Sequence, residues 1–310
     1  MSGSATGAAR PSPIGAPGGD LHAAALRRDD RRERLALFGL ALPALLLVTV
    51  TMALPTAWLF WLSLLADDGT LSLVNYARMI EQPSYGRTFL TTFEVGFLTT
   101  GLCILIGYPL AYTLSQLPQR TANLCMIAVL LPFWTSLLVR TYAWLVLLQR
   151  TGLINSWGMA LGLWTEPLPL VHNLAGTLIG MVHVLLPYLV LPLYGAMRAI
   201  DRDLIRAASN LGASPAQAFR TVFLPLSLPG LAAGALIVFI LCLGFYVTPV
   251  ILGGGKVTMV SNRIADDIDV FFNWGAASAL GVVLLVLTLS LLWLTGRLAR
   301  GVNLFGGGHV

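Results

Sequence analysis

The sequence predicts an all-α membrane protein of six transmembrane helices with both termini in the cytoplasm. Three observations carry this. The 310 residues are 56% hydrophobic and only 11% charged, where a soluble domain has about 25% charged residues. The apolar residues fall in long unbroken runs, not in the short alternating segments of a barrel strand. The basic residues gather at the ends of those runs, on one side more than the other.

The elements follow in order. Residues 1–34 are small, proline-bearing and then basic, ending in Arg27, Arg28, Arg31, Arg32 and Arg34. They read as a disordered cytoplasmic segment whose arginines anchor the membrane boundary. No cleavable signal peptide is expected there, because no short apolar core precedes a cleavage site. Six apolar stretches then reach the roughly 20 residues needed to span: 35–64, 89–114, 122–148, 174–197, 228–252 and 277–298. The first carries Pro43 and Pro55, which predicts a kink or tilt. Residues 35–300 form the membrane domain, and 301–310 a short cytoplasmic tail.

With the N-terminus inside, thirteen of the nineteen Lys and Arg fall on that side and five on the other, with Arg140 inside the third span. The excess puts both termini in the cytoplasm, which six spans satisfy and five or seven do not. The net charge of +5 therefore points to topology, and nucleic acid is not an expected partner. Membrane lipid is. Cys103, Cys125 and Cys242 all lie in apolar runs, without metal or disulfide spacing, and read as packing residues.

Between the fourth and fifth spans lies a polar stretch, 201–220, with the grammar of two short helices. Asp201 suits an N-cap and Asp203 a first turn. Leu204, Ala208 and Leu211 share a helical face. Gly212 suits the left-handed position that ends a helix. Ser214 can cap the next one, with Pro215 at its first position and Gln217 closing a capping box.

Few ionisable residues lie inside the spans. Glu94 and Arg140 read either as a structural ion pair or as groups lining a translocation path. His183 reads as a helix–helix hydrogen bonder or a ligand. In the last outer loop Asp266, Asp267 and Asp269 precede Phe271, Phe272 and Trp274. Carboxylates beside aromatic faces suit an organic cation; they equally suit a solvated loop above an interfacial aromatic belt. No catalytic constellation, metal cluster or phosphate loop is visible. The glycines at 253–255 lack the Walker pattern and read as a flexible span end.

The polar stretch resembles the EAA loop of ABC importer permeases. Arg206-Ala207-Ala208, three residues, Gly212, nine residues, Val222, one residue and Leu224-Pro225 keep the complete spacing of Glu-Ala-Ala…Gly…Ile-x-Leu-Pro. Arg206 replaces the usual Glu, and Val222 the Ile. The stretches LPFWTSLLVRTYAW (131–144) and YVTPVILGG (246–254) look like those of spermidine/putrescine-type permeases. The resemblance implies a type I ABC importer permease-like fold whose loop, 201–225, carries a cytoplasmic coupling helix. Leu204, Ile205, Arg206, Ala207, Ala208, Leu211, Gly212, Ser214 and Pro225 are then the ATPase-coupling residues. Glu94, Arg140, Asp266, Asp267, Asp269 and Trp274 are the candidates for the path.

The implied partners are a cytoplasmic ATPase dimer, a second permease subunit, expected to be a paralogue, and a periplasmic or extracellular substrate-binding protein. The expected location is the bacterial inner membrane. The chain itself is expected to hold no cofactor and to catalyse nothing, ATP and Mg being bound by the partner ATPase. A polyamine is the expected solute; an opine, an amino acid derivative, a phosphonate or iron are the alternatives. A stand-alone ion-coupled carrier or channel is the competing class, and a membrane enzyme the third.

Overall fold

The computed structural model describes residues 19–66 and 69–301, with side chains described over 39–297. The chain divides into two units, 1–58 and 59–310. The first holds most of α1 (Gly19–Ser63). Residues 19–34, expected to be disordered, are helical and continuous with the first span. Five Arg, three Ala and two Leu make up most of that stretch, all good helix formers. Thr51 donates its hydroxyl to the Leu47 carbonyl at 2.8 Å and Thr56 to Met52 at 2.7 Å, the local satisfaction that an apolar surrounding demands. Residues 1–18 and most of the expected tail, 302–310, lie outside the described residues.

The second unit contains α2 (Val74–Glu81), α3 (Pro83–Gln116), α4 (Gln119–Leu130), α5 (Leu137–Leu148), α6 (Leu153–Ala160) and α7 (Leu174–Arg198). Then come α8 (Arg202–Asn210), α9 (Pro215–Ala218), α10 (Leu224–Leu243), α11 (Val247–Gly253), α12 (Val260–Asp269) and α13 (Trp274–Gly301). Its centre is the packed trio α3, α7 and α10, around Cys103, Met181, Leu185, Leu189, Val238 and Cys242. The cysteines are thus packing residues, as expected. Small residues let α7 and α10 approach closely: a Cβ on Gly234 would stand 2.9 Å from the Leu189 carbonyl oxygen, and one on Gly230 2.3 Å from the Ala196 Cβ. This is the small-residue seam that dispersion-driven packing in a membrane favours.

Among the described residues five helices are long and apolar enough to cross a membrane. The sixth crossing differs from the straight helix expected at 122–148. It is a pair, Gln119–Trp134 and Leu137–Ala160, bent by 95°. Pro132 cannot donate to the helical ladder, the chain tightens into a 3₁₀ turn over Leu131–Trp134, and Thr135 is extended. Hydropathy alone does not see this break, because both halves are equally apolar.

The fifth span also shifts. Expected at 228–252, it runs over Pro215–Leu243 and stops at Gly244; α11 is a separate short helix. The second short helix of the polar stretch is therefore the foot of a span. The end of that apolar run, expected to be a flexible span end, is packed against His172. Gly254 is left-handed, and any Cβ there would strike the His172 ring.

Candidate functional site

The polar stretch folds as its residue types dictate. Asp201 accepts the Asp203 N–H at 2.9 Å and opens α8. At the other end the Gly212 N–H donates to the Ser209 carbonyl at 3.0 Å and the Ala213 N–H to Ala208 at 3.1 Å. This crossed pair is a Schellman closure, and Gly212 occupies its left-handed position with φ +87°. Ser214 and Gln217 then bond reciprocally, 2.8 and 3.3 Å, as a capping box over Pro215.

The faces of α8 are divided. Ile205 turns inward onto a cluster with Met197 and Phe223. Leu204 and Leu211 turn outward, 48% and 89% exposed. Arg206 pairs with Asp203 on the same helix at 2.9 Å, both about three-quarters exposed, an arrangement worth little to stability. Ala207 is exposed and Ala208 half-buried; Ser214 and Pro225 are exposed.

Beyond α9 the chain widens into a π turn over Phe219–Phe223, where the Leu224 N–H reaches back five residues to Phe219. Pro225 follows with no N–H of its own and a ring that crowds the preceding turn, which accounts for the widening. The turn is fixed from α3. Tyr112 meets Phe219 and Phe223 edge-on at 5.4 and 5.2 Å, and the Tyr108 and Ser227 hydroxyls share a hydrogen bond of 2.9 Å.

Sequence reasoning missed a second anchor. Arg198, in the last turn of α7, donates through Nη1 to the Ser115 and Leu117 carbonyls, both at 3.0 Å, and through Nη2 to Gln119 Oε1 at 2.8 Å. These carbonyls belong to the end of α3, where a helix leaves acceptors unpaired. In the sequence Arg198 was one more topogenic charge; its place in the last turn before a polar loop was the available signal.

The path candidates are not gathered in one place. Glu94 lies exposed on α3. Arg140, on α5, borders a cavity of about 250 Å³ with Phe133, Tyr188 and Phe245. Among the described residues no ion pair joins the two, so that reading is corrected: Arg140 Nε and Nη1 are buried without a partner. His183 accepts the Trp144 indole N–H at 3.0 Å, a helix–helix bond between α7 and α5.

The acidic stretch before the last span forms α12, and it too needs correction. Asp267 is 1% exposed and sits 3.1 Å from Arg263 Nε. The Arg263 guanidinium lies over the Tyr85 ring at 4.9 Å and the Phe271 ring at 5.2 Å. The carboxylate and aromatic faces do hold a cation, but it is the chain's own arginine, at i, i+4 spacing. Burial raises the Asp267 carboxyl above its ordinary value, with Arg263 pulling the other way. Asp266, Asp269 and Trp274 stay exposed.

Apolar helical spans, with a capped polar turn between two of them, define an integral membrane protein. More particularly, the chain belongs to the binding-protein-dependent transport system inner membrane component family, whose model matches residues 39–304. It is an ABC transporter permease subunit. It is 32% identical over 271 residues to the spermidine/putrescine transport system permease protein PotB of Haemophilus influenzae, covering 82% of this chain and 94% of that one. PotB of Escherichia coli K12 is 32% identical over 230 residues, 73% of this chain and 83% of that one. The fold is shared with a chain of a bacterial alginate ABC transporter in complex with its pentasaccharide-bound periplasmic protein. There the TM-score is 0.71 at 17% identity, over 89% of this chain and 97% of that one.

Proposed function

We propose that this permease imports a polyamine of the spermidine/putrescine class by alternating access driven by a partner ATPase. In this reading α8 is the coupling helix. The observation that carries it is the outward apolar pair Leu204 and Leu211 on a helix closed at both ends by its own caps, a rigid plug that presents apolar surface to a partner. Gly212 turns the chain, and the aromatic lock on the π turn joins the plug to the fifth span. An ATPase dimer that closes on ATP and Mg would push α8 and rock the spans as a rigid body.

The complete assembly then holds a second permease, a paralogue, and an external binding protein that delivers the solute. Both termini face the cytoplasm. The polyamine assignment is supported by the names of the relatives 32% identical to this chain. Arg206 leaves the chain without the usual acid at the head of the docking motif, and its pairing with Asp203 keeps it from standing as an isolated charge.

The test is reconstitution with the cognate ATPase, second permease and binding protein in vesicles. ATP-dependent uptake of labelled spermidine or putrescine is expected only with all components present. Uptake by this chain alone would establish a stand-alone carrier instead. An active assembly whose binding protein gives no calorimetric heat with either amine would overturn the substrate while leaving the importer intact.

A further inference from the structure

Between the end of α3 and the start of α8 the packing is incomplete. A cleft of about 390 Å³ opens there, lined from one side by Ser115, Gln116 and Leu117 and from the other by Arg198, Arg202 and Ile205. Ile205 is the apolar side chain that α8 places on this cleft, against the cluster that includes Leu114 of α3. The Arg198 guanidinium crosses the gap. Its three bonds bracket the corner where Leu117 and Pro118 join α3 to α4, with acceptors on both sides of the turn. Arg202 reaches the Ser115 carbonyl only at 3.4 Å and adds little.

Arg198 also stands close to the plug in the chain. Only Ala199 and Ile200 separate it from Asp201, the cap of α8. A displacement of α8 thus reaches the guanidinium across two residues and the α3–α4 corner across one set of bonds. From that corner α4 leads into the broken third crossing that carries Arg140. A planar guanidinium holding several acceptors at fixed angles transmits position in a way a single flexible contact does not.

We propose that Arg198 is a positioning residue, a strut that carries movement of α8 into the α3–α4 corner. Without it the partner ATPase turns over while the spans respond incompletely. The proposal rests on α8 being the ATPase-docking helix, as argued above.

The complete reconstituted assembly tests it, with Arg198→Ala and Arg198→Lys. The readouts are binding-protein-stimulated ATP hydrolysis, solute imported per ATP, and a spin-label distance between positions 120 on α4 and 209 on α8, both exposed. Arg198→Ala is expected to keep stimulated hydrolysis. Its solute per ATP falls about tenfold, the scale of losing one charge-assisted bond, and the label distance broadens. Arg198→Lys falls between, since an ammonium is a point charge without the fork. If the alanine variant does not assemble, the lysine variant decides. Wild-type solute per ATP with a narrow label distance, in whichever variant assembles, overturns the strut. A wild-type assembly without stimulated hydrolysis overturns the importer reading itself, and that failure shows before any variant is made.

Discussion

At the scale of single residues, Gly212 and Asp267 show two ways a side chain is constrained. Gly212 sits at φ +87° with nothing within 4 Å of where a Cβ would be, so its requirement is conformational and not steric packing. Gly212→Val is expected to cost about 1–2 kcal/mol of local strain, read as a thermal transition of the purified chain a few degrees lower, and to lower solute imported per ATP. Unaltered solute per ATP would remove the turn from the coupling path. Asp267 is constrained by burial. Its folded-state carboxyl lies above the ordinary 3.8, so the stability it contributes is present below that value and is lost as pH rises through the folded value. Arg263 opposes the shift, Asp266 adds to it and Arg78 opposes it. Acidification towards the carboxylate range should therefore tighten α12. Hydrogen exchange of α12 amides should slow as pH falls, after correction for intrinsic rates, and Asp267→Asn should flatten that dependence. Faster exchange at low pH would show that the Arg263 pair dominates.

At the scale of elements, the seam between α7 and α10 sets what the membrane domain can tolerate. The Leu189 backbone approaches Gly234 so closely that a side chain must push the helices apart. Gly234→Val is expected to destabilise by about 1–3 kcal/mol, the range for overpacking, read as earlier thermal unfolding in detergent; an unchanged transition would mean the seam is loose. Elements with strong local chemistry were legible in the sequence. Asp201, Gly212, Ser214, Pro215 and Gln217 specify their caps with side chains only a few residues away, and those caps are what the structure contains. The break at Thr135 was not legible because hydropathy is blind to direction inside a uniformly apolar run, and the early start of the fifth span because Gln217, Arg220 and Thr221 keep its first turns polar. The ion-pair reading of Glu94 with Arg140 and the cation-binding reading of Asp267 failed for a related reason. Their charges were visible, but the partner of Asp267 was decided by Arg263 folding back within one helix, just as Arg198 found its acceptors 79 to 83 positions away in the chain.

At the scale of the whole molecule, the two ends of the second unit carry different chemistry. The Asn173 N–H bonds the Leu252 carbonyl at the start of α7, beside α11, whereas Arg198 and α8 lie at its other end. The 25 residues of α7 separate these ends by about 37 Å at 1.5 Å per residue, enough to cross a bilayer core. Of the Lys and Arg residues of the second unit, seven assort with the α8 end and five with the α12 end when the spans alternate. Each basic residue near an anionic inner surface is worth about 1 kcal/mol, so the asymmetry favours α8 in the cytoplasm and α12 outside. Single cysteines at two exposed positions, Ser209→Cys on α8 and Asp269→Cys on α12, test this in a Cys125→Ala background; Cys103 and Cys242 are buried. A membrane-impermeant maleimide added to intact spheroplasts should label the α12 cysteine at once and the α8 cysteine only after permeabilisation. The opposite pattern would put α8 where no ATPase can reach it, and the coupling role of Leu204, Leu211 and Arg198 would fall with it.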